Sequence, residues 1–77
     1  MNDIIERIGK LLTTRFGVSP AEFSAEAALG DLDLDSLALV EFGLVAEKEF
    51  GVKLGEQDIT PDDTVTDVAN LIVSKAA

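Results

Sequence analysis

Apolar residues recur at helical spacing in three stretches of the chain. Ile4, Ile5, Ile8, Leu11, Leu12 and Phe16 follow a period close to 3.6, with Asp3 and Glu6 as a capping-box-like start and Gly17 as a natural stop. The pattern predicts a first helix over residues 3–16. A second helix is predicted from Ser36 to Phe50, ending at Gly51, with Leu39, Phe42, Gly43, Ala46 and Phe50 gathered on its core side. Thr64 caps a last helix, with Asp67 as its capping-box partner and Val65, Val68, Ala69 and Ile72 as its buried stripe.

The segments between them are less regular. Ser19-Pro20-Ala21-Glu22 reads as a single helical turn within a long connection from Gly17 to Asp35, pinned to the core by Val18 and Phe23. Glu56-Gln57-Asp58-Ile59 reads as one or two turns, with Leu54 and Ile59 inward and Thr60-Pro61 as a breaker. The expected fold is all-α, a small four-helix bundle with a short third helix and a long loop between helices one and two. Residues 1–77 are expected to form one domain.

The second helix carries another apolar stripe. Leu37, Val40 and Leu44 fall on a different side from its core residues, beside Glu41 and close to Glu47 and Lys48. One reading is a helix buried on most sides. The other is an interaction face, where exposed apolar residues supply contact area and acids steer a basic partner. Gly43 costs about 1 kcal/mol relative to alanine inside a helix, so it is expected to permit the close approach of another helix or a bound chain.

Charge sharpens this picture. The formal net charge is −9, and from Phe16 through Glu47 there are seven acidic residues and no Lys or Arg. Such a surface repels nucleic acid and anionic membranes, and repulsion within it makes stability sensitive to salt. Arg7, Lys10 and Arg15 on the first helix are expected to be a solvated face paired locally with Glu6 or Asp3. Asp31, Asp33 and Asp35 fill the first three ligand positions of an EF-hand, but Ser36 replaces its glycine and Phe42 its bidentate glutamate, so no EF-hand is expected. Weak chelation by a loose carboxylate cluster and a plain solvated loop stay equally open.

Neither cysteine nor histidine is present. That excludes disulfides, thiolate metal sites and the Ser-His and Cys-His catalytic arrangements. Ser36, at the junction of the acidic loop and the second helix, therefore lacks an ordinary general base and is expected to be acted upon rather than to catalyse. Asp35 is placed to cap the helix, and the exposed hydroxyl of Ser36 lies in the first turn near unpaired N–H groups at the positive end of the helix dipole. That position suits a covalently held phosphodiester.

Asp35-Ser36-Leu37, running into Ala38-Leu39-Val40-Glu41, resembles the prosthetic-group attachment motif of acyl carrier proteins. Length, acidity, the central serine and the helix after it extend the resemblance over essentially the whole chain. The family often has glycine where Asp33 stands, two residues before the Asp-Ser pair. The resemblance implies 4′-phosphopantetheine on Ser36, attached from coenzyme A by a phosphopantetheinyl transferase, with acyl groups held as thioesters on the arm. It also implies docking of ketosynthases, acyltransferases and other synthase enzymes through basic patches on Asp35, Leu37, Val40, Glu41, Leu44 and Glu47. Ala38 and Lys48 stand where many relatives have acids. Ser36-Leu37-Ala38-Leu39 leans toward carriers of dissociated polyketide synthases, while the general pattern also fits fatty acid synthesis and the design is shared by D-alanine carriers.

Leu39, Phe42, Ala46, Phe50, Leu54, Ile59, Val68 and Ile72 are expected to surround an apolar interior that admits part of an acyl chain or simply packs as core. A monomeric, cytoplasmic protein is expected, since no long apolar run or signal-like N-terminus is present. The alternative from another class is a small acidic helical adaptor or divalent-ion-responsive interaction module without a prosthetic group, in which Ser36 is only a helix cap.

Overall fold

The computed structural model describes residues 2–32, 34–55 and 58–76. Three α-helices make up the fold: α1 (Asn2–Arg15), α2 (Ser36–Phe50) and α3 (Val65–Ala76), with a 3-10 helix at Leu29–Leu32 between the first two. The all-α class and the three long helices agree with the periodicity, and among the described residues there is no strand, only an isolated antiparallel bridge between Ala28 and Thr64.

The helix ends follow local chemistry with two adjustments. α1 begins at Asn2, so Asp3 lies within its first turn rather than capping it, where its carboxylate still favours the positive helix end. α3 runs to Ala76. The box at its start is complete: Thr64 N–H donates to Asp67 Oδ2 at 3.0 Å, and Asp67 N–H donates to Thr64 Oγ1 at 3.1 Å. α2 stops at Gly51, whose φ of 67° is a left-handed conformation that favours glycine. The Glu47 carbonyl then accepts both the Gly51 and Val52 N–H groups, at 2.9 and 3.2 Å.

Of the short third helix, Glu56 and Gln57 lie outside the described residues. Asp58 and Ile59 form a bend rather than a helical turn, followed by a turn at Pro61–Asp62. Side chains close it locally, since the Asp58 carboxylate accepts the Gly55 N–H at 2.7 Å and Asp63 accepts the Thr60 N–H at 2.9 Å. Ile59 is buried and Leu54 partly so, both turned inward as expected.

All three helices turn apolar faces to one core. Ile8 and Leu12 of α1, Phe42 of α2 and Val65, Val68 and Ile72 of α3 are its most enclosed large side chains, joined by Leu29 from the loop. Phe16 meets Phe42 edge-to-face, with ring centroids 5.9 Å apart. Phe23 packs over Gly9, where a β-carbon would lie 2.8 Å from the ring, so this mid-helix glycine is required by close approach.

The long loop is held by residues far along the chain. Leu29 and Gly30 N–H groups donate to the Asp63 and Pro61 carbonyls, both at 2.9 Å, while Val65 and Thr66 N–H groups donate back to Ala27 and Ala25. Ser19-Pro20-Ala21-Glu22 forms its single turn, the Ser19 carbonyl accepting from Glu22 and Phe23. The basic residues of α1 depart from the expectation of local pairing. Arg7 reaches across to α2, donating to the Glu49 carboxylate at 2.7 Å and to its carbonyl at 3.0 Å, with its guanidinium 4.5 Å from the centre of the Phe50 ring. Guanidinium geometry makes that three-way contact possible, and a pair within α1 offers no ring to stack on.

Candidate functional site

The path of the chain into α2 fixes Ser36. Leu32 and Leu34 are both buried, and Leu29 before them is fully enclosed, so the loop is anchored up to two residues short of the serine. Asp35, exposed and extended with φ −78° and ψ 179°, accepts the Ala38 N–H at 2.8 Å through its side chain and the Leu39 N–H at 2.9 Å through its carbonyl. This is the predicted N-cap. It leaves the N–H groups of Ser36 and Leu37 without intrahelical acceptors at the positive end of the dipole.

Ser36 is exposed, and among the described residues no side chain bonds its hydroxyl. The chain has no histidine to serve as a general base for that oxygen. Ser36 also lines a cleft of about 430 Å³ that lies between α2 and Leu54, Gly55, Ile59 and Pro61. Leu39, Val40, Gly43 and Leu44 form its α2 wall, and Leu54, Ile59 and Pro61 face them. An exposed hydroxyl clear of side-chain partners, beside orphan N–H groups and an apolar slot, fits a phosphodiester-linked arm bearing an apolar load.

The structure brings three of the eight residues named for an apolar interior to this cleft: Leu39, Leu54 and Ile59. Phe42, Ala46, Val68 and Ile72 are sealed in the core, and Phe50 packs partly buried against it beneath Arg7. Among the described residues, nothing lies within 4 Å of where a β-carbon on Gly43 would stand.

The second stripe of α2 is solvent-exposed. Leu37 is 67 %, Leu44 56 % and Val40 42 % accessible, with Glu41 exposed among them. Burial of α2 on most sides is thereby excluded. Glu47 differs from Glu41, because it is half-buried and its carboxylate accepts the Leu54 N–H at 2.7 Å. The sequence held no sign of that bond, since the residues are seven positions apart across a helix end.

Asp33 lies outside the described residues. Among the others, no group of three acids is close enough to hold a metal ion. No described helix is long and apolar enough to cross a membrane.

Comparison with known proteins agrees with this geometry. A family model described as "Phosphopantetheine attachment site" matches residues 6–72, a span that contains Ser36. The meromycolate extension acyl carrier protein of Mycobacterium leprae is 35% identical over 71 residues, covering 91% of this chain and 62% of that protein. The same identity and coverage hold for its counterpart in Mycobacterium tuberculosis. The acyl carrier protein of Rhodococcus erythropolis is 32% identical over 71 residues, covering 91% of this chain and 78% of that relative. The chain thus spans about three-fifths of the length of the meromycolate relatives and more of the Rhodococcus protein. Its capped serine, its helical frame and these matches together place the chain in the acyl carrier protein family, whose signature is a phosphopantetheine attachment site.

Proposed function

We propose that this chain carries acyl groups as thioesters on a 4′-phosphopantetheine arm attached to Ser36, passing them between separate enzymes of acyl-chain extension. The observation that carries the reading is the exposed Ser36 at a capped helix start, lining a mostly apolar cleft. The arm supplies the thiol that the chain lacks. Every other part belongs to the protein's own residues. Ser36 would offer the ester oxygen to the arm's phosphorus in coenzyme A, its proton passing to a base of the transferase as the pyrophosphate bond breaks and adenosine 3′,5′-bisphosphate leaves; the chain has no histidine of its own for that proton. Asp35 holds the first turn, and the cleft walls shelter the apolar load from water.

Residues 1–77 act as one carrier domain and not as an enzyme. A soluble cytoplasmic monomer fits the reading, since a partly exposed acyl carrier must meet its enzymes by diffusion. Fatty-acyl extension and a dissociated polyketide synthase both fit; the names of the meromycolate relatives favour the former. Leu37, Val40 and Leu44 supply the apolar contact for ketosynthases, acyltransferases and the transferase. Asp35 and Glu41 steer their basic patches, and Glu47 adds its second carboxylate oxygen.

The test is the intact mass of the folded protein before and after incubation with coenzyme A and a broad-specificity phosphopantetheinyl transferase. A gain of one arm on the wild type and none on Ser36→Ala is expected. A folded, initially unmodified wild type that a competent transferase leaves unchanged would sink the carrier role.

A further inference from the structure

Gly43 lies in the interior of α2, where glycine weakens a helix relative to alanine. Nothing within the fold asks for it there. Among the described residues the glycines with positive φ are Gly17 and Gly51, so Gly43 has ordinary helical backbone. A β-carbon built on it meets no atom of the described residues within 4 Å, in contrast to Gly9 under Phe23. Among the described residues, neither conformation nor packing accounts for the missing side chain.

Its position relative to Ser36 does. Seven residues separate the two, which is about 10.5 Å along the helix axis and nearly two whole turns, so both lie on the same face. Both line the same cleft, opposite Leu54 and Ile59. A side chain at residue 43 would stand in the slot two turns from the attachment oxygen. Val40 and Leu44 border the same wall, so the glycine makes a gap between larger apolar residues.

We infer that Gly43 is a specificity-determining residue for the cargo: its missing side chain keeps the cleft deep enough for a long apolar acyl chain. The inference rests on the carrier reading and goes beyond it, because a carrier with a blocked cleft would still be loaded at Ser36. Larger residues at this position shorten the chain that the protein shelters.

The experiment loads wild type, Gly43→Ala and Gly43→Leu with a transferase and butyryl-, octanoyl- or dodecanoyl-coenzyme A, with intact mass confirming each product. Thermal melting and the amide NMR shifts of Leu54 and Ile59 are then compared with those of the unacylated arm-bearing form. In the wild type the melting temperature and the shifts at the far wall rise with chain length. In Gly43→Leu the gain from butyryl to dodecanoyl disappears, with Gly43→Ala between the two, while the unacylated variants melt no lower than wild type. The same chain-length dependence in all three proteins would overturn the inference, as would a wild type whose melting and shifts ignore the acyl group. Should Gly43→Leu fail to fold, the ordering of Gly43→Ala below wild type decides. Failure of the carrier reading shows separately, as a wild type that gains no mass.

Discussion

The Glu47 carboxylate accepts the Leu54 backbone N–H at 2.7 Å, so an acid near the end of α2 fixes the start of the segment that forms the cleft's far wall. Glu47→Ala orphans a part-buried amide and is expected to cost about 1–3 kcal/mol, whereas Glu47→Gln keeps an acceptor and loses less. Urea titration of both variants checks this. Equal and negligible losses would mean that the carboxylate serves partners alone.

Gly9→Ala puts a β-carbon 2.8 Å from the Phe23 ring. Overpacking costs about 1–3 kcal/mol, which exceeds the gain of about 1 kcal/mol from better helix propensity. The variant is therefore expected to be destabilised, and Phe23→Ala combined with it is expected to recover part of the loss. Additive losses in that double-mutant cycle would contradict the contact.

Asp35→Ala removes the side chain that accepts the Ala38 N–H, at an expected cost of about 0.5–2 kcal/mol, while Asp35→Asn or Asp35→Ser retains most of the cap. Chemical denaturation of the three variants, together with their rates of arm attachment, separates the cap's structural role from recognition. A slower reaction in Asp35→Asn at unchanged stability would assign the charge itself to the transferase.

The Gly55 N–H, and next the Lys75 ammonium 3.2 Å away, hold the Asp58 carboxyl below its ordinary value of 3.8. Glu49 is lowered in the same direction, chiefly by its hydrogen bond from Arg7. A lowered folded-state value means that the unfolded chain binds the proton more readily. The stabilisation is therefore present at neutral pH and is lost as pH falls through the carboxylate range. Asp58→Asn is expected to be less stable than wild type at pH 7, with the gap closing on acidification. A gap of constant size across that range would exclude the linkage.

Local signals made the helices legible. The 3.6-residue period, the Asp35 cap, the Thr64–Asp67 box and the left-handed Gly51 each depend on neighbours within one or two turns, and each stands as the sequence indicates. Ser36 and the exposed stripe of Leu37, Val40 and Leu44 were legible for the same reason, because helix phase separates them from the core face. What the sequence concealed depends on distant partners. Arg7 pairs with Glu49 rather than with Glu6 or Asp3, and Glu47 turns back to Leu54. Phe23 meets Gly9 from a separate part of the chain. The short third helix was expected from a polar run whose described part, Asp58–Ile59, is closed by side chains instead.

The loop before Ser36 also bears on the order of assembly. Its hydrogen-bond partners come from Pro61–Thr66, and the Thr66 hydroxyl meets the Ala25 carbonyl across 41 positions of chain. α1 and α2 have local periodicity of their own, but the ladder that fixes the loop between them waits on late-made residues. Closing so long a loop is an entropic cost met before those contacts form. During synthesis, residues 25–30 are therefore expected to settle only after the start of α3 has left the ribosome, so that the serine is set in its final surroundings by residues made well after it.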